Sequence, residues 1–588
     1  MKASRVIGWL MAVAAALPSA VPAQQPKTDD PLIVAMSREL ERSKNLRLVD
    51  LNDAYFIEYR LEDGENLTIG TTLGAVVTQS KRRMRVPRVQ VRVGSYEFDN
   101  TNYVLSGLDN RISQAPLDND IGALQSYFWL GTDRAYKRAL REISRKRAAL
   151  KNVNLPEQLP DFDKAEPVIK ILPPRREEID VDDWTGRMRR LSSIFVHYPS
   201  ITRSSTRFSS LQSTSYLINT EGSVVRFPEL IHFLVIRASG QAPDGMGLRD
   251  ATVVQRLSMK RMPSEIELER AARQVAENVA ALIEAPVADA YVGPVLFEGI
   301  AAGQLFAQLL GKNLALSRRP VPEPGRPAQF RPSRLEGRLG ARVLPDWMTV
   351  ADDPTQTEWM GRELSGHYVV DSEGVVPEPL TLVENGILKN FLLTRQPVKG
   401  FTKSNGRARL PGQYGAGTAV LSNLFVKAGE AVTESGLKQK LIEMCQRQGK
   451  PYGILIKKLD FPSSASFGEL RRLFAGARES GGTGGVVSQP ILAYRVYPDG
   501  REELVRGLRF RSLDVRSLRD IIAASDESHQ FDYMPSNAPL SLIGAGGFVT
   551  VSSVVAPSVL IDDLELDRDV ESLPKLPVVP PPPLIAQQ

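Results

Sequence analysis

Gly293-Pro294-Val295-Leu296-Phe297-Glu298-Gly299-Ile300-Ala301-Ala302-Gly303-Gln304-Leu305-Phe306 decides how this chain is read, because it has the outline of a zinc-hydrolase helix whose metal ligands are missing. In such a helix two imidazoles on neighbouring turns hold the ion, and a Glu beside the first polarises the metal-bound water. Glu298 is present, but Phe297 and Ala302 stand where the two histidines would be. Neither side chain offers zinc a lone pair, and losing two of three protein ligands removes most of the affinity. Packed in a core, Phe297 and Ala302 would fill the space of ion and imidazoles with apolar atoms. Glu298 would then need a hydrogen-bond partner, a structural role rather than a catalytic one.

With 588 residues, 42% hydrophobic and 24% charged, the chain can build two or more full-sized cores. Its start reads as a secretory signal peptide over 1–23: Lys2 and Arg5, an apolar stretch from Val6 to Leu17, then Val21-Pro22-Ala23 before Gln24. That stretch is too short to span a bilayer comfortably, so the expectation is an exported protein, periplasmic or secreted, with no membrane span in the mature chain. Loss of Lys2 and Arg5 with the leader lowers the formal charge from +6 to +4. So small a bias does not imply nucleic acid. The run Lys81-Arg82-Arg83-Met84-Arg85 and the basic stretch from Arg138 to Arg147 read as solvated faces without interleaved aromatics. A single cysteine, Cys445, excludes an internal disulfide; its spacing from Leu437, Leu441 and Met444 makes it a buried small hydrophobe on a helix.

Along the chain, Asp30-Pro31 opens a helix carrying Ile33, Met36 and Leu40 on one face. Strands follow at Tyr55 to Tyr59, Leu67 to Val77 and Arg88 to Phe98. In the last, Val89, Val91 and Val93 alternate with Arg88, Gln90 and Arg92, as in an antiparallel meander with one wet face. A helix near Thr132 buries Tyr136, Leu140 and Ile143, and the Pro- and acid-rich stretch from Asn154 to Pro174 reads as a linker or surface arm. Strands are expected again at Ser193 to Tyr198 and at Thr214 to Ile218, the latter turning at Asn219-Thr220-Glu221-Gly222 into Val224 to Ile236. Ser264-Glu265-Ile266-Glu267 is a capping box for a helix ending before Pro286. The second half reads as largely β, with short helices at Ala301 to Leu310 and Thr433 to Arg447 and turns at Ser372-Glu373-Gly374, Asn385-Gly386 and Asp499-Gly500.

Other chemistry is thinly supported. His197, His232, His367 and His529 are not spaced with each other, with Cys or with carboxylates in a metal-building pattern. His197 and His232 fall in expected strands, where a hydrogen-bonded structural histidine is the commoner case. The run Ser480-Gly481-Gly482-Thr483-Gly484-Gly485 lacks the Lys-Ser/Thr of a phosphate cradle and reads as a loop, or as a place where an extended peptide could add to a strand. No G-x-S-x-G occurs, and the pairs Asp182-Asp183 and Asp562-Asp563 read as solubilising turns.

Several segments together resemble the TldD/PmbA (TldE) family: the opening stretch, Asp371-Ser372-Glu373-Gly374, Leu382-Val383-Glu384-Asn385-Gly386-Ile387-Leu388-Lys389-Asn390-Phe391-Leu392, Ser404-Asn405-Gly406-Arg407-Ala408-Arg409 and Ala493-Tyr494-Arg495-Val496-Tyr497-Pro498-Asp499-Gly500. TldD-type members carry HExxxH at the start of the second domain and a third ligand, Cys, near the C-terminus. Here Phe297, Glu298 and Ala302 occupy the degenerate motif, and Ile543-Gly544-Ala545-Gly546-Gly547-Phe548 has no Cys. The chain is therefore similar to the metal-free PmbA (TldE) type. The resemblance implies an α+β fold: an N-terminal curved antiparallel sheet with helices over 28–288, then a β-rich domain over 291–567, followed by a Pro-rich tail, 568–588. It also implies no metal or cofactor on this chain, zinc in an HExxxH-containing TldD-like partner subunit, and a small or unfolded peptide as substrate. Two alternatives stand beside this reading: a stand-alone peptide-binding or scaffold protein, and an active peptidase with an unrecognised site.

Overall fold

The computed structural model describes residues 28–44, 53–103, 114–151, 159–323, 325, 330–412, 415–462, 487–535 and 549–569. The expected leader, the tail beyond 569 and the glycine-rich stretches at 480–485 and 543–548 lie outside the described residues.

Six strands form the first sheet: β1 Ala54–Thr72, β2 Ala75–Val93, β3 Ile169–Ile171, β4 Ile201–Asn219, β5 Val224–Gln241 and β6 Gly247–Arg256. Their order is β2-β1-β4-β5-β3, with β6 also on β5, and every pairing except that of β3 with β5 is antiparallel. Strands of 18 or 19 residues are long for a globular sheet, and that length lets one sheet carry two helix pairs side by side. Ile57, Tyr59 and Leu61 of β1 pack with α1 (Pro31–Ser43) and α2 (Ile121–Leu150); Leu67 and Ile69 pack with α3 (Val181–Ser193) and α4 (Glu265–Glu284). All five positions are odd, so both pairs cover one face. The α1 and α4 starts follow the sequence signals: the Asp30 carboxylate accepts from the amides of Leu32 and Ile33, and the Ser264/Glu267 capping box is formed.

Four expectations are corrected. Ser193 to Tyr198 is the end of α3 followed by a 3-10 turn, Ile194–His197, because Trp184, Met188, Leu191 and Phe195 recur at helical spacing. The face of β2 bearing Gln90 and Arg92 is not wet but turned towards the second domain, where both side chains donate to the Gly415 carbonyl oxygen. The arm at 159–163 is not on the surface either: Asp161, Phe162 and Asp163 are buried. The basic stretches are also only partly solvated. Arg85 is buried against Asp63, Asn119 and two carbonyls, and Lys146 against Asp161 at 2.5 Å.

The second sheet is mixed and has eleven strands. At its centre β7 (Tyr291–Phe297) runs antiparallel to Ser552–Arg568 and parallel to Gly453–Leu459. Val295 and Phe297 face the core under α5 (Ile300–Asn313), while Leu296 faces α6 (Glu434–Arg447) on the other side. Cys445 lies in that second core with Leu437 and Leu441, as its spacing implies, and burial pushes its thiol pKa up. The Asn385-Gly386 turn joins a tight hairpin with both residues at positive φ. Among the described residues no helix is long and apolar enough to cross a membrane.

The two domains meet across the second face of the first sheet. The Phe162 ring lies between two guanidiniums, Arg92 at 3.6 Å and Arg395 at 4.0 Å from its centroid. Arg395 donates to the Asp163 and Glu373 carbonyls and to Glu221, and its side chain is fully buried. Removing a buried, paired charge leaves its partner unpaired, so Arg395→Met should lower stability by about 3–5 kcal/mol in urea denaturation. Burial at the same seam pushes the Glu58 carboxyl up to about 7, against the pull of Arg60 and Arg395. A raised carboxyl contributes stability that is full below its ordinary value and lost as pH rises through about 7. From pH 5 to pH 8, wild type should therefore lose on the order of 2–3 kcal/mol relative to Glu58→Gln.

Candidate functional site

The opening stretch is a strand, a turn and a helix rather than one helix. Strand β7 runs to Phe297, Glu298 lies in the turn, and Gly299 at φ 60° precedes α5. Phe297 and Ala302 thus sit on different elements, both fully buried in one apolar core. A central strand buried on both faces accounts for the continuous Val295-Leu296-Phe297 run. The Phe297 ring stacks on Phe510 with centroids 6.0 Å apart. Zinc does not fit here, since neither side chain carries a donor atom.

Glu298 has the partners that burial requires. Its oxygens lie 3.3 Å from Lys438 and 3.6 Å from Lys457, and the same two ammonium groups hold Glu502 at 2.8 and 2.9 Å. Burial pulls the Lys438 pKa down, but Glu502 and Glu298 outweigh it and hold it above its ordinary value. The Gly299 amide donates to Ser558 Oγ, which donates to Glu434, and Glu434 also meets His529 Nε2 at 2.8 Å. Two carboxylates on two ammonium groups form a closed, balanced network.

The histidines do not converge. His232 is buried between Ser210 Oγ at 3.0 Å and Glu177 at 3.1 Å, a structural histidine as expected; burial lowers its pKa. His367 Nδ1 donates to the Pro354 carbonyl, and His197 is exposed on its turn. Among the described residues no three of His, Cys, Asp and Glu are grouped to hold a metal ion. Asp182 and Asp183 occupy the first turn of α3, while Asp562 and Asp563 fall at a bulge within the strand Ser552–Arg568, not in a turn.

A separate cavity of about 360 Å³ lies between the second face of the first sheet and the second domain. Arg60 and Glu62 of β1, Arg88 of β2, Ser215 of β4 and Glu229 of β5 form its floor; His367, Tyr368, Asp371 and Arg409 face it from the second domain. Arg409 lies over the Tyr368 ring at 4.6 Å and donates to the carbonyls of Leu421 and Val551. Burial pushes the Glu229 carboxyl up although Ser215 Oγ donates to it at 2.7 Å. Phe297, Glu298 and Ala302 are not part of this lining. Sequence reading did not bring Arg60, Arg88 and Glu229 together because only strand register sets them on one face; Asp371 and Arg409 lay in segments already singled out.

Residues 291–465 match the family described as PmbA/TldA metallopeptidase C-terminal domain. Residues 291–465 therefore carry a TldD/PmbA-type C-terminal domain. Two curated relatives, each described as a metalloprotease, come from Archaeoglobus fulgidus (38% identical over 78 residues) and Methanothermobacter thermautotrophicus (35% over 100). Those stretches are 13% and 17% of this chain, and they span 17% and 20% of the relatives' own length. Among solved structures, TldE from Thermococcus kodakarensis superposes with a TM-score of 0.53 at 13% identity, over 91% of this chain and 100% of the other. A proposed modulator of DNA gyrase from Bacteroides thetaiotaomicron gives 0.55 at 11% identity, over 92% and 99%. At these identities the two superpositions show a shared fold.

The segments that resemble the family are largely structural. Asp371 accepts from the amides of Glu373, Val375 and Ala408; Glu373 accepts from the amides of Arg395 and Gly417. Arg407 is buried on Asp352 at 3.1 Å, and Asn405 bonds both the Leu393 amide and the Phe391 carbonyl. Restoring histidines at Phe297 and Ala302 should therefore fail to restore a metal site. Phe297→His with Ala302→His is expected to bind no zinc by elemental mass spectrometry and to lose about 3–5 kcal/mol of stability from disrupted core packing.

Proposed function

We propose that this chain is the metal-free, non-catalytic member of an exported TldD/TldE-like peptidase assembly. An HExxxH-bearing TldD-like subunit supplies the zinc and cuts small or unfolded peptides, while this chain completes the space that holds them. The observation that carries the reading is the state of the motif positions: Phe297 and Ala302 are core residues, and Glu298 is neutralised by Lys438 and Lys457. A general base needs a free carboxylate beside a water that something activates. The likeness to a protein named TldE agrees with a partnered role.

The test uses the mature chain from Gln24 onward, alone and co-expressed with a signal-bearing HExxxH relative. Alone it should hold less than about 0.1 zinc per chain after dialysis with zinc, against the four-ligand expectation for a genuine site. Peptide hydrolysis should appear only with the partner, and Glu298→Gln should leave that activity within about twofold. One tightly held zinc per chain, or hydrolysis by this chain alone, would overturn the proposal. A stable chain that binds peptide but captures no partner would favour the scaffold reading.

A further inference from the structure

We infer that the cavity between the two domains is a binding site for a carboxylate carried on an apolar body, with Arg60 as its anchor. The inference does not depend on the metal-free reading, because the cavity is lined by none of Phe297, Glu298 and Ala302.

The anchor follows from strand register. Arg60 of β1 and Arg88 of β2 are direct cross-strand partners. Like charges directly opposite one another destabilise a sheet, and a folded protein keeps such a pair where something compensates it. The Arg60 guanidinium has no hydrogen bond or ion pair among the described residues. Burial, then the neighbouring Arg60, lowers the Arg88 pKa to about 9.

Glu58 and Glu229 attract Arg60 without a direct contact, and Glu62 and Glu58 attract Arg88. Asp371 turns its oxygens to three backbone amides. Glu229 accepts from Ser215 Oγ, and burial raises its carboxyl pKa against the pull of Arg409 and Arg60. On the opposite wall Arg409 is bonded to carbonyl oxygens, which position a guanidinium without removing its charge. Arg60, Arg88, Arg175 and Arg409 thus line the cavity with Glu62, Glu229 and Asp371; Arg175 is paired with Glu177 and Arg409 with carbonyl oxygens, which leaves the Arg60 guanidinium to meet an anion.

The rest of the lining selects the ligand's body. Leu172, Leu217, Phe227, Ile231 and Val551 supply apolar walls. A volume of about 360 Å³ falls in the range of small-ligand sites. A highly charged anion such as a polyphosphate would leave those walls unfilled, whereas one carboxylate on an aliphatic or aromatic body uses both. The free C-terminus of a short apolar peptide and a medium-chain fatty acid share this chemistry.

Isothermal titration of the mature chain with N-acetyl-Leu-Phe as the free acid, with its C-terminal amide and with octanoate tests the inference. The acid should bind at least tenfold more tightly than the amide. Arg60→Gln should weaken the acid at least tenfold while keeping or raising the melting temperature, since it relieves a like-charge pair. Leu217→Trp, which fills the cavity without touching charge, should abolish binding independently. Preference for octanoate over the peptide acid would support the site and assign it to lipid-type acids. Equal binding of acid and amide, no binding of any probe, or wild-type affinity in the Arg60→Gln chain would overturn it.

Discussion

The Phe162 ring, held between the guanidiniums of Arg92 and Arg395, is the contact on which the relation of the two domains depends. A desolvated cation on an aromatic face is worth about 2 kcal/mol, and here one ring serves two cations. Two arginines could not be buried so close together without compensation. Arg92 has Asp99 at 2.7 Å and Thr101, and Arg395 has Glu221 at 2.6 Å and two backbone carbonyls. The partners come from both halves of the chain, Gly415 and Glu373 on one side and Asp99, Asp163 and Glu221 on the other. The seam is therefore specified by directional polar contacts. Apolar contacts such as Leu217 and Val225 on Val370, or Phe233 on Met534, fill in around them.

That seam also explains what the sequence could and could not convey. Helix starts with their own caps, the Asn385-Gly386 hairpin and the amphipathic spacing around Cys445 are local signals, and each element forms where its residues predict. Gln90 and Arg92 alternate with valines as a wet strand face would, yet their face is covered, because alternation reports two different environments and not which of them is water. Val295-Leu296-Phe297 is apolar at every position, and such a run does not separate a buried strand from a buried helix. The strand wins because β7 is central, with pairing partners on both sides. Phe162 is one aromatic in a Pro-rich arm, and nothing near it in sequence announces the two arginines, which are about 70 and 230 residues away by the numbering in hand.

The site was legible in identity but not in geometry. That Phe297 and Ala302 lack donor atoms is plain from the residues, and the structure adds that the space around them is closed by core packing. Lys438 and Lys457 were invisible as partners of Glu298, because α6 and the strand Gly453–Leu459 come together with β7 only through the parallel pairing of the second sheet. The cavity residues are more scattered still: they come from four strands of one domain and from loops of the other.

Two charged centres therefore differ in a way that bears on function. Around Glu298 two carboxylates face two ammonium groups at contact distance, and a network so balanced has little free energy left with which to favour another charged group. Around Arg60 the guanidinium has no direct partner among the described residues, and the strand register keeps it in place. The β1 and β2 register fixes Arg60 opposite Arg88, and backbone carbonyls hold Arg409 across from them. A strand cannot slip by one residue to separate the pair without turning Ile57, Tyr59 and Leu61 away from the α1 and α2 core. The same hydrophobic register that builds the first domain thus holds the Arg60 guanidinium at its seam with the second, while the network around Glu298 is already closed.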